Sequence, residues 1–196
     1  MPKIKDTLAQ PYFAYGIWLW AILIVALVPD TWVSYLRYEV SQGQLWRLFS
    51  AGIAHTNGYH LLFNGAALVV LAFLHGHYFR PNQLHLLLIY LVLAVSIGLY
   101  AFYPDTSHYV GLSGALHGLV LIGAFIDSQK KMITGYLLFA GVIIKVIYEQ
   151  FWGSTTSVES LIDARVATES HLLGVVAALV VLPLFRLAKT TRATNV

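Results

Sequence analysis

The chain has 196 residues, of which 58% are hydrophobic and only 11% are charged, and its mean hydropathy is +0.70. A soluble domain carries about 25% charged residues, so this composition indicates an integral membrane protein. The lack of cysteine excludes thiolate catalysis, cysteine metal sites and disulfides, and the basic residues behind the pI of about 9.1 fall in loops, where membrane topology explains them better than nucleic-acid binding.

Six apolar runs are long enough, or nearly so, to span about 30 Å of hydrocarbon. They predict an all-α, six-transmembrane-helix bundle in one domain over residues 1–196, with spans at 12–28, 59–74, 84–103, 110–126, 132–147 and 170–187. The first run is long and rich in aromatic residues, and no small-x-small cleavage site follows it. We therefore interpret it as a helix rather than a signal peptide.

Six spans place both termini on the same side of the membrane, and the basic residues are concentrated there. That side holds Lys3, Lys5, Arg80, Lys130, Lys131, Arg186, Lys189 and Arg192. The opposite side holds Arg37, Arg47 and Arg165 together with most of the acidic residues. This bias predicts that both termini are cytoplasmic.

The connection over residues 29–58 is unusually long for a compact bundle. Its stretch from Trp46 to Ile53 mixes polar and apolar residues. Two interpretations stay open: a short amphipathic segment lying in the outer interface, or an ordinary amphipathic loop.

The second, fourth and sixth spans all run from the outside inward, and each carries its unusual polar residues in its first turns. These residues are His60 and Asn64, Ser113 and His117, and His171. Residues four apart on a helix share a face. The matching depth in three spans predicts a single site at the outer mouth of the bundle, with a serine nucleophile and a histidine base.

Each of these residues also has a structural interpretation. Gly114 and Gly118 form a G-x-x-x-G pair, which by itself is more typical of tight helix packing than of catalysis. Asn64 could form an interhelical hydrogen bond, and His171 could be an interface histidine. A second group of histidines, expected to be solvated on the cytoplasmic side, comprises His75, His77 and His85.

Other protease chemistries lack their residues in this chain. There is no H-E-x-x-H for zinc and no pair of intramembrane aspartates, and Ser113 does not lie in a G-x-S-x-G elbow. Serine chemistry is what remains among the protease classes.

At this point the motifs resemble those of the rhomboid intramembrane serine proteases. His55-Thr-Asn-Gly-Tyr-His60-Leu-Leu-Phe-Asn64 is similar to H-x4-H-L-x2-N, and Trp46-Arg47 resembles the W-R element. Gly111-Leu112-Ser113-Gly114 is similar to the G-x-S-G nucleophile motif, and Ser170-His171-Leu172-Leu173-Gly174 to the A-H-x-x-G base motif. Two departures are Ser170 in place of Ala, and Thr168-Glu169 in place of the usual small residues.

The resemblance implies roles for individual residues. Ser113 and His171 would form a catalytic dyad with no acidic third member required. The residues implied in oxyanion and substrate binding are His60, Asn64, Gly111, Leu112, Gly114 and His117. His117 takes a position where many rhomboids have an aromatic residue, from which it could stack on His171. No metal and no cofactor is implied.

The fifth span holds ionisable residues. Lys145 and Glu149 are four apart and could pair. Since helix five is a proposed gating element in rhomboids, Lys145, Glu149 and Gln150 are candidate substrate or gate contacts. Structural pairing near the interface is the alternative. His55 is a further candidate contact, or an interfacial polar residue.

The chain also resembles a bacterial subgroup, the rhombosortases, through its small size, its G-L-S-G-x-L-H-G run and its Glu149-Gln150 pair. This resemblance implies an enzyme of the bacterial inner membrane whose active site faces the periplasm. Its partners would be membrane lipids and membrane-anchored secreted proteins, from which it removes a C-terminal tail of Gly-Gly, hydrophobic helix and basic residues, and no nucleic acid would be bound.

Two alternatives compete with this prediction. One is a catalytically inactive rhomboid-like protein that binds membrane clients. The other is a metal transporter lined by His55, His60, His117 and His171, although the carboxylates that transporters commonly add are not part of that set.

Overall fold

The computed structural model describes the backbone of residues 4–193 and the side chains of residues 12–186. Its elements are α1 (Ile4–Val25), α2 (Asp30–Val33), β1 (Tyr35–Leu36), α3 (Arg37–Ser41), α4 (Arg47–Ser50), α5 (Gly58–His75), α6 (Pro81–Phe102), β2 (His108–Tyr109), α7 (Ser113–Gln129), α8 (Ile133–Trp152), α9 (Thr156–Ile162) and α10 (Thr168–Ala193). Two 3₁₀ turns follow α4 and α5, at Ala51–Ile53 and Gly76–Tyr78. The predicted all-α membrane bundle is confirmed, with one two-residue antiparallel pairing of β1 and β2.

Four helices of the described part of the chain are long and apolar enough to cross a membrane. They are α5 with its 3₁₀ extension, α6, α8 and α10. The apolar part of α1, Tyr12–Val25, is shorter, and α7 has 17 residues, about 25 Å at 1.5 Å per residue. The count of six spans therefore stays a prediction.

The bounds of all six predicted spans differ from those of the helices by one or more residues, and two of these differences affect residues singled out above. The fourth was expected to begin at residue 110, but α7 begins at Ser113, because Gly111 has a φ of 128° that no helix continues through. The fifth was expected to end at residue 147, but α8 continues to Trp152 and so includes Glu149 and Gln150 as helical residues.

Helix α7 lies at the centre of the bundle, in contact with α5, α6, α8 and α10. Its approach to α10 is very close, since a Cβ at Gly118 would lie 2.6 Å from the Gly174 carbonyl oxygen, and a Cβ at Gly174 would overlap the Gly114 carbonyl oxygen. Ala178, one turn further along α10, is fully buried. The small-residue packing predicted for Gly114 and Gly118 is thus present, and Gly174 is its partner.

The long connection over residues 29–58 is folded against the end of α6. The Arg37 guanidinium donates to the carbonyl oxygens of Tyr100 at 2.6 Å and Tyr103 at 3.2 Å, which satisfies acceptors that a helix end leaves free. Arg47 is buried and donates to the Ser34 and Thr31 carbonyl oxygens at 2.8 Å each. Arg37 therefore ties this connection to the end of α6, and Arg47 holds two parts of the connection together.

The opposite end of the bundle contains a buried polar cluster. His75 is 1% exposed, and its Nε2 lies 3.2 Å from Asp127 Oδ2, while the Tyr78 hydroxyl donates to the other carboxylate oxygen. The expectation that His75 is solvated is wrong, because Asp127 on α7 pairs with it across the α5–α7 interface. His85 Nδ1 likewise accepts a hydrogen bond from Trp18 Nε1 at 3.0 Å. Among the basic residues expected on this side, Lys3 lies outside the described residues, as do the side chains of Lys5, Lys189 and Arg192.

Candidate active site

Ser113 is presented at the first position of α7 by a glycine turn. The Gly111 N–H donates to the Ala51 carbonyl oxygen at 2.9 Å, and the Gly111 carbonyl oxygen accepts from the Tyr109 hydroxyl at 2.6 Å. A Cβ at Gly111 would lie 2.9 Å from His60 Cε1 and Nε2, and its φ of 128° favours glycine in any case. The turn therefore fixes Ser113 beside the His60 ring.

The glycine packing of α7 on α10 brings Ser113 to His171. Ser113 Oγ lies 3.0 Å from His171 Nε2, which is hydrogen-bonding distance. His171 is 5% exposed, so its ring is held by packing rather than by solvent. A hydroxyl in contact with an imidazole nitrogen is the geometry of a nucleophile and its general base.

The second nitrogen of His171 contacts a carboxylate. His171 Nδ1 lies 2.8 Å from Glu149 Oε2, and the other oxygen, Oε1, accepts from Lys145 Nζ at 2.6 Å. The Glu149 side chain is 9% exposed, and that of Lys145 is 49% exposed. The sequence predicted the pairing of Lys145 with Glu149 but not the contact of Glu149 with His171.

His117 covers the face of the His171 ring. The two rings stack with centroids 4.0 Å apart and an interplanar angle of 20°. His117 Nδ1 lies 2.8 Å from the Ser113 carbonyl oxygen, and its Nε2 lies 3.0 Å from Lys145 Nζ. Because a carbonyl only accepts and an ammonium only donates, these partners assign the proton of His117 to Nδ1.

His60 and Asn64 line the same cleft as Ser113 and His171. Thr56 anchors His60 through contacts at 3.4 Å from its N–H and 3.2 Å from its hydroxyl to Nδ1. Asn64 is 4% exposed, and its Nδ2 donates to the His60 carbonyl oxygen at 3.2 Å. Both side chains are thus placed near the nucleophile, and their role towards an oxyanion stays a prediction.

The cleft has a volume of about 460 Å³ and runs between α5, α7 and α8. Ser113, His171 and Lys145 lie along it, and most of its other lining is apolar: Phe63, Val70, Leu74, Val120, Leu138 and Val142. A second, smaller cavity of about 70 Å³ adjoins Ser113 and is bounded by Tyr109, Val110 and the loop at 164–167.

The remaining candidate contacts lie around the site rather than in the cleft. The His55 ring meets the edge of the His60 ring at a centroid distance of 4.9 Å, and burial lowers the pKa of His55 to about 3. Gln150 Nε2 donates to the Thr168 carbonyl oxygen at 3.0 Å and so connects α8 to the start of α10. Leu112 is fully buried as the N-cap of α7.

The metal-transporter alternative can be compared with this arrangement. Ligand atoms of His117, Glu149 and His171 lie within 4.8 Å of one another, a spacing compatible with a metal ion. However, Lys145 Nζ contacts both His117 and Glu149, and a fixed ammonium disfavours a second cation at the same atoms. His55 and His60, which the transporter hypothesis required, are not part of this group. The residues therefore fit a metal ion poorly.

Comparison with known proteins supports the motif analysis. The Rhomboid domain matches residues 42–187, a range that contains Ser113, Glu149 and His171. A search of curated proteins gave no match.

Proposed function

The chain belongs to the rhomboid family of intramembrane proteases, and we propose that it is an active serine endopeptidase that cleaves membrane-anchored proteins with Ser113 as nucleophile and His171 as general base. The observation that carries this proposal is the 3.0 Å contact between Ser113 Oγ and His171 Nε2. A relative that only binds clients has no need to keep both groups, or their contact.

The chemistry follows from these positions. Ser113 Oγ attacks the scissile carbonyl while His171 Nε2 takes its proton, and the protonated ring then gives that proton to the leaving amine. The Ser113 N–H, at the start of α7, and the Asn64 and His60 side chains are the candidate oxyanion donors, each able to contribute roughly 3 kcal/mol. Water then hydrolyses the acyl-enzyme and releases the carboxylic product.

The cleft supports a substrate that enters as an apolar segment. Its lining suits a hydrophobic helix, and the smaller cavity of about 70 Å³ beside Ser113 suits a small side chain. A helical substrate must unwind before it is cut, and glycine lowers helix stability by about 1 kcal/mol per residue relative to alanine. We therefore propose the rhombosortase substrate class: secreted bacterial proteins with a C-terminal Gly-Gly, hydrophobic helix and basic tail.

The charge distribution supports an orientation. Basic residues at the inner ends favour cytoplasmic termini, which directs the start of α7, and with it Ser113, to the outer side. In the bacterial inner membrane this side is the periplasm, where a secreted protein anchored by its C-terminal tail would meet the enzyme.

A fluorophosphonate probe tests the catalytic proposal. Purified protein in detergent should be labelled covalently, and Ser113→Ala and His171→Ala should abolish labelling. Ser128→Ala is the matched control, because Ser128 lies at the far end of α7 from Ser113 and its hydroxyl donates to the Phe125 carbonyl oxygen at 2.8 Å. Absence of labelling in folded native protein, in lipid as well as in detergent, would favour the client-binding alternative.

A separate measurement tests the substrate class. The C-terminal masses of secreted proteins are compared in cells with native enzyme and with Ser113→Ala. Loss of tail removal from Gly-Gly proteins in the variant supports the proposal, and identical C-termini in both strains contradict it without affecting the labelling result.

A further inference from the structure

His171 has a different partner at each ring nitrogen, and each partner requires a different protonation state of the nitrogen that it contacts. Ser113 Oγ must give its proton to Nε2, so Nε2 has to be unprotonated before the reaction. A neutral imidazole then carries its proton on Nδ1. The atom opposite Nδ1 is Glu149 Oε2, at 2.8 Å, and a carboxylate oxygen is the acceptor that this tautomer requires.

The negative charge of the Glu149 carboxylate is compensated by the ammonium group of Lys145. Glu149 is buried, and an unpaired buried charge is costly. Its two oxygens are used separately, Oε1 by the Lys145 ammonium at 2.6 Å and Oε2 by His171. Lys145 also donates to His117, the ring stacked on His171. The same ammonium therefore donates hydrogen bonds to two residues that contact the base, Glu149 and His117. A continuous chain of hydrogen bonds therefore runs from Lys145 through Glu149 and His171 to the Ser113 hydroxyl.

We propose that Glu149 is a positioning residue that completes a Ser113–His171–Glu149 triad in place of the expected dyad. It fixes the tautomer and orientation of His171 and stabilises the imidazolium that forms when Ser113 attacks, while remaining ionised itself. The proton moves only from Ser113 Oγ to His171 Nε2 and on to the leaving amine. This inference rests on the proposed serine endopeptidase activity.

The lysine makes the effect of an amide substitution predictable. In Glu149→Gln, Lys145 can only donate, so it holds the new amide oxygen and turns the NH₂ group towards His171. His171 Nδ1 must then accept, which moves the ring proton to Nε2 and blocks the base function. We expect the rate of fluorophosphonate labelling and kcat to fall about 10²–10⁴-fold, with KM little changed.

Three further variants separate positioning from packing. Glu149→Asp keeps a carboxylate and should recover part of the lost rate. Glu149→Gln combined with Lys145→Met frees the amide to turn its oxygen to His171, and we expect it to exceed the single Glu149→Gln variant by about tenfold. Glu169→Gln is the matched control, since Glu169 lies on the helix of His171 but pairs with Arg165.

The tautomer itself can be measured. In ¹⁵N-histidine-labelled native protein, with the His171 signals assigned by their loss in His171→Asn, the neutral ring should be protonated at Nδ1, and in Glu149→Gln at Nε2. Protonation at Nε2 in the native protein overturns the proposal, even if Glu149→Gln does not fold. A folded Glu149→Gln variant labelled within about threefold of the native rate also overturns it, although the serine endopeptidase function would then stand. Native protein that is never labelled counts against that function instead.

Discussion

At the scale of single residues, the site shows how few side chains control the nucleophile. The Ser113 hydroxyl contacts the general base, His171. The His171 ring in turn contacts Ser113, the Glu149 carboxylate and the stacked ring of His117. The stack restricts rotation of His171 about its long axis, and Lys145 holds His117 in turn. Residues of two other helices, α7 and α8, thus fix the orientation of His171 on α10.

The contribution of His117 can be separated into stacking and hydrogen bonding. His117→Phe keeps a ring over His171, whereas His117→Ala removes it. An aromatic pair contributes about 0.5–1.5 kcal/mol of interaction free energy. We therefore expect the labelling rate of His117→Ala to be about two- to tenfold lower than that of His117→Phe. The rates are measured with the fluorophosphonate probe in the same detergent. Equal rates for both variants would show instead that the stack contributes nothing.

At the scale of elements, catalysis depends on how closely α7 and α10 approach. Gly114 and Gly174 face each other with no room for a methyl group. Ser113 directly precedes Gly114, and His171 lies three residues before Gly174. An increase in the helix separation is therefore transmitted directly to the 3.0 Å contact between the nucleophile and the base.

Gly174→Ala tests this dependence. The new methyl would overlap the Gly114 carbonyl oxygen and force the helices apart, so we expect labelling to be lost and the melting temperature to fall. Gly141→Ala on α8 is the matched control, because nothing lies within 4 Å of its Cβ position. Since alanine favours helix by about 1 kcal/mol over glycine, the control should be as stable as the native protein or more stable. Normal labelling of Gly174→Ala would contradict the close-packing argument.

At the scale of the whole molecule, the sequence predicted the meeting of two distant helices but not every contact between them. Ser113 and His171 were predicted together because both are polar residues at matching depths in apolar runs. Glu149 was predicted to pair with Lys145, four residues away, because that contact lies within one helix. Its contact with His171 depends on the relative rotation of α8 and α10, for which the sequence has no periodic signal. The same holds for Asp127 and His75, whose pairing joins α5 and α7.

Membrane orientation is the remaining whole-molecule property, and the lack of cysteine makes it measurable. We expect single cysteines at Gln42 and Asp105 to lie in outer connections, one at Lys130 to lie in an inner connection, and one at Asn82 to lie at the inner end of α6; all four side chains are exposed. Because Lys and Arg are retained on the cytoplasmic side, we expect a membrane-impermeant maleimide to label the outer pair in intact spheroplasts and the inner pair only after lysis.

The reversed pattern would have a specific consequence. It would place the start of α7, and so Ser113, at the cytoplasmic face, where a secreted protein held by its C-terminal tail presents only the basic end of that tail. The rhombosortase substrate class would then fail. Contact between Ser113, His171 and Glu149 does not depend on orientation, so fluorophosphonate labelling of purified protein would be unchanged. Comparing the two experiments therefore separates the chemistry of the site from the side of the membrane on which it acts.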